Sequence, residues 1–331
     1  MWTASKFDLR SRDYWRQLGW GLLTGLVSAI GAFVFIAIMD FGQDLVWSGQ
    51  TGWMPFTGSW LTVAIMTVAG LLVGIIHHFS NAEQPDVFDA VDEGHLDPKP
   101  VPASLLASLI SLIGGFSLGP EVPTGMLSAG LGSWIAERRR LDADIKRTNV
   151  IGGVSAAYAG LFSSPCVVLL LLLESAHLQT VAYYGTLLIA GLAASVGFGL
   201  FYYGGGDAFS SLLGILSLPT YDLYLWHLGA GMLLGLLAVP IGLLCPVVML
   251  VLRKIVAPLD GKPIVRGVVG GVLLGLLGYV LPITLGLGTD EMVIVSQQAA
   301  DIGIALLVVF ALGKILALGG ALTFGFIGGP I

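Results

Sequence analysis

Nine apolar runs of unequal length constrain this chain more than any other feature. They fall near residues 19–39, 59–76, 103–118, 124–136, 149–173, 177–204, 223–252, 265–284 and 299–318. A helix needs about 20 residues to cross the hydrocarbon of a bilayer. The runs 103–118 and 124–136 are shorter than that, and 149–173 is interrupted at Ser163-Ser164-Pro165. The run 223–252 exceeds a simple span and predicts a tilted helix. Short segments interrupted by Gly and Pro are the usual mark of a site made from discontinuous helices. The expected fold is therefore all-α: a polytopic membrane protein with broken, partly spanning helices.

Composition agrees. Hydrophobic residues make up 56% of the chain and charged residues 11%, with a formal net charge of −6. Lys and Arg gather in loops rather than on a face, so no nucleic-acid partner is expected. The tail carries Lys6, Arg10, Arg12 and Arg16 ahead of a run too long for a signal peptide, which reads as the first transmembrane helix. Arg138, Arg139, Arg140, Lys146 and Arg147 form a second basic cluster, and Arg253, Lys254, Lys262 and Arg266 a third. Thirteen of the 15 Lys and Arg residues should then share the cytoplasmic side, which predicts a multi-pass protein of the cell (inner) membrane with a cytoplasmic N-terminus. The acidic loop Glu83 to Asp97 gives no topology, because acids contribute little to it. Cys166 and Cys245 lie in apolar runs and are expected to be small buried residues rather than a disulfide or metal site. His77-His78 reads as an interfacial pair without the acid or Cys that a metal site would need. No metal or cofactor is expected.

One carboxylate stands out. Gly119-Pro120-Glu121-Val122-Pro123 sets Glu121 between two prolines in an apolar surrounding. Pro favours the first turn of a helix and is poor inside one, so a helix should restart at about Glu121. Charge inside a membrane is costly, which makes an acid there a functional hypothesis by default. A helix start carries about half a positive charge and unpaired N–H groups. A deprotonated Glu121 would compete with an anion for those groups, and a protonated one would leave. The plainer alternative is a structural Glu that is protonated or paired. Glu174 closes the run after Pro165, either as a solvated helix end or as a proton relay.

The segment Gly114 to Glu121 has a loose echo in Gly319 to Ile331: each is a Gly-rich break after an apolar helix, ending at Pro plus one residue. The echo predicts one transmembrane domain over 1–331 with a first repeat at about 19–204 and an incomplete second at about 223–331. Its alternative is that the 47 glycines serve helix packing. The last residue, Ile331, falls where a helix should restart, so the chain is expected to be a fragment or a truncated gene model.

These residues resemble the CLC family of anion channels and proton-coupled anion exchangers. Gly119-Pro120-Glu121-Val122-Pro123 matches that family's Gly-x-Glu-x-Pro gating motif, with Glu121 as the gating glutamate. Gly153 to Glu174 looks like the helix pair that follows it. Pro85 to Val91 is similar to the start of the first pore-facing helix, and Gly286-Leu287-Gly288 and Gly328-Gly329-Pro330-Ile331 match second-half glycine motifs. The resemblance implies a homodimer with one pore per subunit. It further implies a CLC-like inverted-repeat fold and transport of a small inorganic anion, chloride by default, with protons if coupled. The implied anion-binding residues are Gly119, Pro120, Val122, Ala82, Gly329, Pro330 and Ile331. Three departures accompany it: Ala82 stands where the family has a pore serine, and Ser175 where an exchanger has its internal glutamate, with Glu174 one residue short. The helices after the second filter segment, one bearing a pore tyrosine, are absent.

Two other readings compete. Ser155 in Gly153-Val154-Ser155-Ala156 and His227 in His227-Leu228-Gly229 suggest an intramembrane serine protease of rhomboid type, with Ser155 as nucleophile and His227 as base. That reading leaves Glu121 without a role, and the expectation is that the chain is not an enzyme. Another broken-helix secondary transporter is the third reading.

Overall fold

A computed structural model of the chain describes residues 10–47, 58–80, 82–175, 181–205, 222 and 224–330. Twelve α-helices form among them: α1 Arg12–Trp47, α2 Trp60–Phe79, α3 Val87–Glu93, α4 Val101–Ile113, α5 Glu121–Arg138, α6 Ala143–Leu161, α7 Pro165–Ser175, α8 Val181–Gly205, α9 Trp226–Val256, α10 Pro263–Val280, α11 Thr289–Ile302 and α12 Ile304–Phe324. Among the described residues six stretches are long and apolar enough to cross a membrane: Arg12–Trp47, Trp60–Phe79, Gly185–Gly205, Trp226–Leu259, Pro263–Val280 and Ile304–Phe324. This is a multi-pass, all-helical membrane protein.

The chain divides into two compact units. The first holds Met1–Gly42, Asn81–Leu106 and Pro120–Ser211. At its centre is α6, whose residues from Thr148 to Gly160 are all buried. Small side chains make this possible. A Cβ added at Gly132 of α5 would sit 3.0 Å from the Asn149 backbone, and one at Gly197 of α8 would strike the Ala156 carbonyl oxygen. Without the hydrophobic drive that water supplies, helices in lipid associate through such close backbone approach. α3 and α7 pack on the same core through Val87, Ala90, Val91 and Val168.

The second unit holds Gln43–Ser80, Ala107–Gly119 and Leu212–Ile331. Its main seam joins α2 and α10. Added Cβ atoms at Gly70 and Gly267 would each run into the other glycine's carbonyl oxygen, and one at Gly74 would lie 2.7 Å from Pro263 O. Ser59 caps α2 by accepting from Leu61 N–H. Within this unit α12 packs against α9 and α10, and Pro240 and Pro246 lie inside α9.

The expected helix breaks appear. α4 ends at Ile113, α5 starts at Glu121, and α6 gives way to α7 between Leu161 and Pro165. One run is divided differently from expectation. The segment 299–318 is not one span, because Gly303, at φ +78°, separates α11 from α12 and the apolar helix continues to Phe324. The burial expected of the cysteines also fails: Cys166 is exposed and Cys245 only half-buried. An apolar thiol suits lipid as well as a core, so the apolar runs around them do not decide their burial.

Candidate functional site

Glu121 is the first residue of α5 and is 6% exposed. Pro120 at the N-cap has no side chain able to cap the helix, and no side-chain hydrogen bond does so. Pro123 in the first turn brings no N–H of its own. Thr124 braces the turn, its Oγ1 donating to Pro120 O at 2.8 Å and Glu121 O at 3.1 Å. The result is a buried carboxylate on an uncapped helix start, where the dipole favours negative charge.

One turn further along α5, Gly125 leaves room for Tyr158 of α6. A Cβ there would sit 2.5 Å from the phenol oxygen and 2.8 Å from Val87 Cγ1. The Tyr158 hydroxyl is thus held against the first turns of α5 and α3, within electrostatic reach of both Glu121 and Asp86. Asp86 caps α3, accepting from Phe88 N–H at 2.8 Å and Asp89 N–H at 3.3 Å. Ala82 is buried just before α3, and its neighbour Glu83 donates its N–H to Ser104 Oγ at 2.9 Å.

In the second unit the two glycine-rich breaks meet. Gly119 N–H donates to Gly329 O at 2.9 Å and Gly329 N–H to Gly119 O at 2.8 Å, an isolated antiparallel bridge. Phe116 and Phe326 stack behind it, with ring centroids 3.6 Å apart, both rings fully buried. Ile327 N–H donates to Ser111 Oγ at 3.4 Å. Gly328 packs on Leu118, where a Cβ would approach to 2.7 Å. The two segments of the loose echo therefore touch at Gly119–Gly329 and at Phe116–Phe326.

The remaining predicted residues vary. Pro330 is exposed and Ile331 lies outside the described residues. Glu174 belongs to α7 by backbone, but its side chain lies outside the described residues. His77 Nε2 lies 2.8 Å from Gly325 O. A carbonyl only accepts, so Nε2 carries the proton there. No group of three His, Cys, Asp or Glu able to hold a metal occurs among the described residues. Ser155 is buried in the first unit. His227 belongs to the second, where its Nδ1 accepts from Tyr224 N–H at 3.0 Å.

Residues 67–331 match the family profile described as voltage gated chloride channel, which is most of the chain. The chain belongs to that family. Among its relatives are proteins named YfeO and described by name as ion-transport proteins. Those from Escherichia coli (strain SMS-3-5 / SECEC) and Shigella boydii serotype 4 (strain Sb227) are each 26% identical, the match covering 93% of this chain and 73% of theirs. The fold is similar to a CLC-type fluoride/proton antiporter (TM-score 0.75, 20% identity, covering 96% of this chain and 78% of that one). It is also similar to a slow cyanobacterial Cl-/H+ antiporter (TM-score 0.69, 20% identity, covering 97% and 76%).

Sequence reasoning missed Tyr158 and Lys314. Tyr158 sits in a helix of small residues, and nothing local sets it apart. Lys314 did carry a signal. With Lys99 it is one of two basic residues outside the three clusters, and it lies inside an apolar run. An intramembrane cation is as expensive as an intramembrane acid and merits the same question.

Proposed function

We propose that this protein moves a small inorganic anion across the membrane, with Glu121 as the gate. The observation that carries the reading is a buried carboxylate at the uncapped start of α5, in a chain of the voltage-gated chloride channel family. The amides of the Glu121 and Val122 turn act as anion ligands when the carboxylate withdraws, and the family resemblance assigns Gly119, Pro120, Ala82, Gly329, Pro330 and Ile331 as further anion-binding residues. Ala82 offers no hydroxyl, so backbone amides supply more of the recognition, with Tyr158 as the nearby phenol. Chloride is the assigned ion, with fluoride as the rival named in one structural relative. Glu174 is assigned to proton transfer. The two repeats, 19–204 and 223–331, the homodimer, and an inner-membrane setting with a cytoplasmic N-terminus complete the proposal.

The test is anion efflux from proteoliposomes. Glu121→Gln, which mimics the protonated gate, should conduct with little dependence on pH, while the parent protein responds to acid. Flux and pH response unchanged in E121Q and E121A would refute the assignment. Proton movement driven by an imposed chloride gradient would mark an exchanger, and its absence a channel.

A further inference from the structure

The half-buried lysine of α12, Lys314, lies outside the gate. Lys314 Nζ donates to three successive carbonyls of one loop: Gly286 O at 2.7 Å, Leu285 O at 3.1 Å and Thr284 O at 3.4 Å. An ammonium has three N–H donors, and three carbonyls can take all of them. The loop is shaped to this purpose. Gly286 and Gly288 take positive φ, +57° and +102°. At Gly288 a Cβ would also press to 3.3 Å on Lys314 Nζ and Cε. The helix is held tight to the loop at the neighbouring position, where a Cβ on Gly313 would lie 2.9 Å from Leu281 and 3.0 Å from Thr284. Glu291, buried at the start of α11, is the counter-charge.

Three carbonyls converging on one positive centre make the arrangement used for a bare monovalent cation, here filled by a tethered one. The loop is tied in turn to the chain breaks. Gly286 N–H donates to Gly115 O at 2.9 Å, and the segment beginning there leads to Gly119 and its bridge to Gly329. We propose that Lys314 is a positioning residue: its ammonium fills a carbonyl cage in the Thr284–Gly288 loop and through Gly286 fixes the paired breaks at Gly119 and Gly329. The cage accepts a primary alkylammonium ion when the lysine side chain is removed. The effect on flux rests on the function proposed above; occupation of the cage does not.

The test uses the full chain. Lys314→Ala deletes what n-propylammonium can replace, whereas tetramethylammonium carries the charge but no N–H donor. n-Propylammonium should raise the unfolding midpoint of K314A and leave the parent protein unmoved, and tetramethylammonium should do neither. In proteoliposomes, K314M that elutes as folded protein should lose flux by about tenfold or more, the scale on which a displaced positioning group acts. K314A should regain flux with n-propylammonium. A midpoint of K314A indifferent to n-propylammonium overturns the cage, and K314M transporting at the parent rate overturns the positioning role. A parent protein without anion flux sinks the transport reading while the midpoint shift still decides the cage. Should neither variant fold, the native protein decides: acylation by an amine-reactive ester must modify exposed Lys99 and spare Lys314. Equal modification of both, with flux retained, refutes the proposal.

Discussion

Removing the Phe116 ring should loosen both chain breaks at once. Phe116 and Phe326 are stacked with centroids 3.6 Å apart and an interplanar angle of 20°. Each ring belongs to a different break, and both breaks meet at the Gly119–Gly329 bridge. Phe116→Ala removes a volume of about 100 Å³, which at about 24 cal/mol per Å³ of unfilled cavity costs about 2.4 kcal/mol. Transfer from water adds little, because the reference state of a membrane helix remains in lipid. Loss of the ring pair adds about 0.5–1.5 kcal/mol. Phe326→Ala should cost a similar amount. The double variant should then cost less than the sum, since its second truncation has no ring left to lose contact with. Unfolding free energies in mixed micelles across the four proteins of the cycle measure this, and anion flux on the same samples reports the pathway. Stability losses that add to within about 0.3 kcal/mol would refute the coupling between the breaks.

Two further outcomes follow from the packing. Tyr158→Phe should change flux in the parent protein and have no effect in the E121Q background, measured in proteoliposomes; equal effects in both would mean that the phenol does not act through Glu121. Gly70→Ala places a methyl against the Gly267 carbonyl and should cost about 1–3 kcal/mol in unfolding free energy. Gly19→Ala, which meets nothing within 4 Å in α1, serves as the control and should not destabilise.

Much of this was legible from residues alone, and for identifiable reasons. Pro at positions 120, 123 and 165 forces helix boundaries through its missing N–H and ring, so the starts of α5 and α7 could be read to within a residue or two. The Gly-rich echo was legible because glycine and proline record where the backbone must leave the helix. Positions that depend on the partner surface were not legible. Whether Cys166 faces protein or lipid cannot be read from a run of Leu and Val that suits both environments. The division of 299–318 turned on Gly303, one glycine among 47. Tyr158 matters because of a gap at Gly125, two helices' worth of sequence away from any local pattern. Lys314 was visible as an oddity, but its three carbonyl partners are contributed by a loop about 30 residues earlier.

The Gly119–Gly329 join is made of main-chain atoms only. Its own hydrogen bonds need no particular side chain, since every amino acid but proline brings the same donor and the same acceptor. Peptide groups alone thus hold the two segments side by side, and the aromatic stack behind them sets how firmly they are held.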